Sequence, residues 1–339
     1  MGDGMRSERG LPTSIFAADF SPDGKTLITA SLGGVLAEWD GETGRERHVF
    51  LVPEENGDRR APRTAVAAGG RKAERRVRFD RPSRLVRGSS LLSARFSRDG
   101  ALFAVGAANG TVVLWKAEGR ADLLGWRAHD RDVVALDISP DGRWLGTGAL
   151  EEVGTTFRVW SLPGGPGEVR EVLSDHRHVG GVWAVCFSPD SRVVAAGGRT
   201  LSGYTAPQLY EVESGKSPGW LHWDMTRAMS FSPDGDRLLT GDEFGNVKLW
   251  KIAEHYPAYE HAAHPDPVLT VGFSQDGKFH FSGALGGSLR VWETATGRLI
   301  REHSLEGRTL ACRFGADGRV LHAASAAPGS ARPEIRHLS

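Results

Sequence analysis

The chain has 339 residues, 40% hydrophobic and 25% charged, which is enough apolar material for a sizeable core and excludes a wholly disordered polypeptide. Its 42 basic and 42 acidic residues cancel, so a whole-surface field for gripping nucleic acid or an anionic membrane is excluded and any such grip must be local. Two cysteines, Cys186 and Cys312, are too few for a disulfide-stapled scaffold or a multi-cysteine zinc module. Residues 1–12 carry no apolar signal stretch, and no apolar run reaches the ~18 residues of a membrane span. A soluble, cytoplasmic, monomeric protein without cofactor is expected.

Along the chain, an aromatic residue or Ile followed by Ser-Pro-Asp-Gly, or a close variant, recurs seven times, beginning at Phe20, Phe96, Ile138, Phe187, Phe231, Phe273 and Phe314. The intervals are 76, 42, 49, 44, 42 and 41 residues, so five share one period and the first contains extra sequence. Pro fixes φ, Asp bonds the backbone just after it and Gly accepts a positive φ, so the phrase joins two strands. The strand before it is short and apolar, as in residues 182–187, and the one after resembles residues 144–148. A small-residue turn such as Asn109-Gly110 or Gly286-Gly287 follows, then a strand ending at Trp39, Trp115, Trp160, Tyr210, Trp250 or Trp292. A turn such as Thr296-Gly297 leads to a fourth strand, so each period predicts about four strands and almost no helix.

These residues resemble the WD-repeat (tryptophan-aspartate repeat) β-propeller family over nearly the whole length, as a divergent, prokaryote-like member. The resemblance implies one all-β domain over residues 1–339: a seven-bladed propeller of four-stranded antiparallel blades, packed face to face around an axis. After Phe314 there is sequence for two more strands only, at residues 319–325 and 334–338. The N-terminal stretch, residues 5–9, is expected to close the last blade as its fourth strand. The family's buried tetrad of His, Asp, Ser or Thr, and Trp is mostly missing: His129 and His264 stand before inner strands, but only Glu243 offers a carboxylate in the matching turns. Blade rigidity is therefore expected to rest on packing.

Between blades one and two, residues 53–87 break the pattern with eleven basic and five acidic residues, a local net of +6. An inserted hairpin is the preferred reading over a degenerate eighth blade, because no second turn phrase marks a new inner strand. Its basic residues, centred on Arg71, Lys72, Arg75, Arg76 and Arg78, read as a solvated loop first, an acidic-protein contact second and a nucleic-acid grip last, since Phe79 alone is available for base stacking.

Catalytic signatures are absent: no nucleophile elbow, phosphate loop or dinucleotide fingerprint occurs. His255, His261 and His264 around Glu260 have metal-like spacing, as do His176 and His178 beside Asp175, yet a structural role is the simpler reading. Cys186 and Cys312 read as core thiols. The resemblance places one rim of the axial channel four residues before each conserved aromatic: Phe16, Leu92, Val134, Trp183, Arg227, Leu269 and Leu310. Six of the seven are apolar, which suits a protein or peptide partner, although their period-2 parity with the buried aromatics equally suits core. The expectation is a non-catalytic interaction scaffold, with a nucleic-acid scaffold through the insertion or a cryptic enzyme using Asp and His residues at the channel mouth as alternatives.

Overall fold

The computed structural model describes residues 14–51, 86, 88–118, 122–150, 156–163, 168–175, 180–198, 207–217, 219–220, 225–315, 318 and 321–338. Six of the seven turn phrases, those with Ser after the aromatic residue or Ile, fold the chain back on itself by the same chemistry. In the first, Ser21 Oγ donates to Asp23 Oδ1 at 2.6 Å, that carboxylate accepts the Lys25 N–H at 3.0 Å, and Ser21 Oγ accepts the Thr26 N–H at 2.9 Å. The Ser-to-Asp bond recurs at Ser97, Ser139, Ser188, Ser232 and Ser274. Gly24 closes its turn at φ +73°, whereas the fourth copy has Ser191 in its place at φ 63°. Ser191 makes use of its side chain there, because its Oγ accepts the Asp141 N–H of the preceding blade at 3.1 Å.

The product is seven antiparallel sheets with strands in simple sequential order. Blade one runs Ile15–Phe20, Thr26–Ser31, Leu36–Asp40 and Glu46–Leu51. The inner strands of the others are Leu91–Phe96, Val133–Ile138, Val182–Phe187, Thr226–Phe231, Val268–Phe273 and Arg308–Phe314. Consecutive inner strands lie side by side around the whole ring, the last against the first. The inner strands of blades one and two also touch directly, so seven blades close the circle and an eighth has no place between them. Of residues 53–87 only Val86 is described; it is fully buried in the core between blades one and two. Arg71, Lys72, Arg75, Arg76 and Arg78 lie outside the described residues.

Seven apolar clusters sit at the seven joints between blades, so each blade's core is shared with a neighbour. The last blade shows three strands among the described residues. Ile15 N–H donates to Ser330 O at 3.2 Å and Gly329 N–H to Ser14 Oγ at 3.0 Å, which holds the start of blade one against that blade. This is consistent with closure by the N-terminal strand, although residues 5–9 themselves lie outside the described residues.

The buried polar network is richer than the sequence suggested. Trp39, Trp160, Trp250 and Trp292 donate their indole N–H to Thr29, Thr147, Thr240 and Ser282 at 2.8–3.0 Å. In blades three and six a histidine completes the relay, His129 to Thr147 at 2.8 Å and His264 to Ser282 at 2.7 Å. Ser288 takes the place of the family's Asp by bonding His264 Nδ1.

Candidate interaction surface

The inner strands line an axial cavity of about 760 Å³, and all seven rim residues foreseen from sequence reach it. Their parity with the buried aromatics would turn them into the core, and a local irregularity prevents this. The pairing of the first two strands slips by one residue in every blade, at Phe16, Leu92, Val134, Trp183, Arg227, Leu269 and Leu310. A β-bulge leaves its extra residue unpaired and re-aims its side chain. The residue before each bulge is buried, from Ile15 at 3% exposure to Leu91, Val133, Val182, Val268 and Thr309 at 0%. The bulged residue is half-buried in six blades; Leu92, at 7% exposure, is the exception.

The rim is not the nearly uncharged ring that the sequence suggested. Arg227 lays its guanidinium over the Trp183 ring, 3.8 Å from the centroid, and its Nε is bound by Glu243, which serves the rim rather than a tryptophan relay. Arg308, at the start of the last inner strand, lies 5.1 Å from the Phe16 ring centroid. The four-residue spacing misses Arg308 because it stands two places before Leu310. Two more apolar side chains extend the same end outward, Phe244 at 63% exposure and Leu285 at 40%, on the turns after the second strands of blades five and six.

Deeper in, Asp19 accepts the Phe96 N–H and Asp137 the Phe187 N–H, each at 2.8 Å, so each carboxylate ties its blade to the next. Arg95 stands between them, 3.7 Å from Asp19 and 3.8 Å from Asp137. Burial drives both acids upward, Asp137 to about 6, against the lowering effect of Arg95. No histidine lines the cavity, so the Asp-His pairing considered for a cryptic enzyme does not assemble among the described residues. Cys186 and Cys312 are free thiols, both pushed upward by burial and thereby kept from the nucleophilic thiolate form.

The histidine-rich segment is spent on separate tasks. His261 stacks on Trp292 at 5.3 Å and 3° between planes, His264 serves the tryptophan relay, and His255 takes an αL conformation at φ 51°. Among the described residues no three His, Cys, Asp or Glu groups approach as a metal set. His176 and His178 lie outside the described residues.

The family model for the WD domain, G-beta repeat (WD40) matches residues 8–40, 82–116, 122–161, 167–202, 222–251 and 256–293, more than half of the chain. The chain belongs to the WD40 repeat family. Among similar curated proteins, the apoptotic protease-activating factor 1 of Rattus norvegicus is 27% identical over 253 residues, covering 69% of this chain and 19% of that protein. Telomerase protein component 1 of Mus musculus is 30% identical over 242 residues, 68% of this chain and 9% of its own length. WD repeat and SOCS box-containing protein 1 of Xenopus tropicalis is 32% identical over 106 residues, 31% of this chain and 24% of that protein. The chain thus spans well under half of each. WD40 propellers generally act as protein-interaction scaffolds and are typically non-catalytic.

Proposed function

We propose that this WD40 chain is a non-catalytic scaffold that binds a protein or peptide partner on the channel rim. The observation that carries the reading is the bulge shared by all seven inner strands, which turns a mostly apolar set of side chains out of the core toward the cavity mouth. A fold selected for packing alone has no use for an unpaired Trp183 or Phe16 at this place, whereas a partner gains from rigid aromatic anchors within a polar surround. Arg227 over Trp183 and Arg308 over Phe16 hold those rings in fixed orientations, which lowers the entropy lost on binding. The two free thiols, Cys186 buried and Cys312 half-buried, fit a reducing compartment, and we place the protein in the cytoplasm on that ground. Among the described residues no helix is long and apolar enough to cross a membrane.

The test is affinity capture with the intact protein beside Leu269→Asp, a half-buried rim position where a carboxylate can reach solvent. Capture should fall at least tenfold with an unchanged circular dichroism spectrum. Capture identical to that of the wild type would contradict rim binding.

A further inference from the structure

The charge of the axial cavity does not follow the charge of the chain. Five arginines line it, Arg95, Arg98, Arg227, Arg308 and Arg313. The lining has only two carboxylates, Asp19 and Asp137, so it carries an excess of +3 in a chain whose charges sum to zero. Arg95 is shared between the two aspartates, and Arg227 is bound by Glu243 from outside the lining. Among the described residues, Arg98, Arg308 and Arg313 make no ion pair. The Arg308 Nε is buried with no hydrogen-bond partner, an unusual condition for so strong a donor. Burial pushes both guanidiniums downward, reinforced at Arg308 by the charge of Arg227 and opposed at Arg313 by Asp19 and Asp23.

The three guanidiniums without a salt bridge among the described residues stand at different depths. Arg308 begins its inner strand at the Phe16 rim, Arg313 stands one place before the end of the same strand, and Arg98 lies in the turn after the inner strand of blade two. With the bulge at Leu310 between them, Arg308 and Arg313 span four residues of the paired strand, roughly 14 Å at about 3.4 Å per residue. A compact anion such as a phosphate group meets one level only. An extended chain with carboxylates at successive residues repeats on the same scale and meets every level. Pairing with a partly buried guanidinium is stronger than the same pairing in open water. Small residues three places before the conserved aromatics, among them Ala17, Ala135, Ala184 and Ala311, keep the bore clear.

We infer that the partner of this propeller presents an acidic, extended peptide segment that enters the axial cavity from the Trp183 and Phe16 rim and pairs with Arg308 and Arg313. This inference rests on the rim reading above. It assigns the rim to anchoring and the bore to charge selection.

The experiment is fluorescence anisotropy on the intact protein with labelled decaglutamate and decaglutamine, in competition with tripolyphosphate and oligothymidine. Decaglutamate should bind at least tenfold tighter than decaglutamine at physiological salt and weaken as salt rises. The Arg308→Gln and Arg313→Gln variants should each weaken decaglutamate at least fivefold while melting close to the wild type, because among the described residues neither side chain makes a salt bridge, and Arg313 feels Asp19 and Asp23 only at longer range. Arg308→Lys should retain most of the binding. Equal binding of the two peptides, or discrimination that survives in the double variant, would overturn the inference. So would tighter binding of tripolyphosphate or oligothymidine, which would assign the charge to a compact anion or a nucleic acid. If the double variant fails to fold, the wild-type discrimination, its salt dependence and the competition decide by the same criteria. Loss of partner capture in Leu269→Asp together with equal peptide binding would leave the rim reading standing and remove only the acidic segment.

Discussion

Asp137 shows how a single residue of the bore shapes the stability of the ring. It must stay near the Phe187 N–H and Arg95, yet burial holds its carboxyl up at about 6, above the ordinary 3.8. Between those values the folded state binds a proton that the unfolded state has released, so this group's stabilisation is present at low pH and lost as pH rises through about 6. Asn in its place accepts the same backbone N–H without titrating. Measured by urea denaturation, the wild type should therefore lose ground to Asp137→Asn between pH 4 and pH 7, by at most about 3 kcal/mol. A difference that stays flat across this range would show that the carboxylate is ionised throughout. His264 and His280, held down at about 4 and about 3 mainly by burial, act with the opposite sign below pH 6.5, but they are common to both proteins and cancel in the difference.

At the scale of elements, the joints between blades depend on glycines that the sequence presents only as weak strand residues. A Cβ on Gly241, in the second strand of blade five, would lie 2.4 Å from Val268 Cγ1 and 2.7 Å from its Cβ. Val268 is the buried residue before the blade-six bulge, so the missing side chain opens the slot that lets the bulge form. The same relation joins Gly106 to Val133, Gly148 to Val182, Gly197 to Thr226 and Gly283 to Thr309. Gly241→Ala should destabilise by about 1–3 kcal/mol through overpacking, and combining it with Val268→Ala should cost less than the two single changes together. Strictly additive losses in such a cycle would remove the slot from the account. The turn phrase was legible in the sequence because its chemistry is local, with Ser21, Asp23 and Gly24 acting within a few residues of one another. The bulges and slots were not, because a register slip has no residue type of its own and each slot needs a partner from the next blade. The spacing of four residues before the conserved aromatics leads to Phe16 and Trp183, which line the cavity, while Arg308, Phe244 and Leu285 fall outside that spacing.

For the whole molecule, ring closure decides what is dispensable. The inner strands of blades one and two pack directly against each other, and Val86, the one described residue of the intervening stretch, lies in their shared core. Replacing residues 53–81 with a short Gly-Ser linker should then alter stability by about 1 kcal/mol, the scale of loop-closure entropy. An unfolded product would mean that the stretch supplies part of a blade. The central claim remains that the bulges turn a propeller built for packing into a surface built for a partner. Melting and partner capture measured on one preparation of Trp183→Ala, beside Trp250→Ala as the buried reference, test it most directly. Trp250→Ala should lose about 3–5 kcal/mol of stability, as a buried aromatic does, whereas Trp183→Ala should melt close to the wild type and lose capture. Equal losses of stability in the two variants, with capture falling only as far as the folded fraction falls, would show that Trp183 belongs to the core and would contradict the claim.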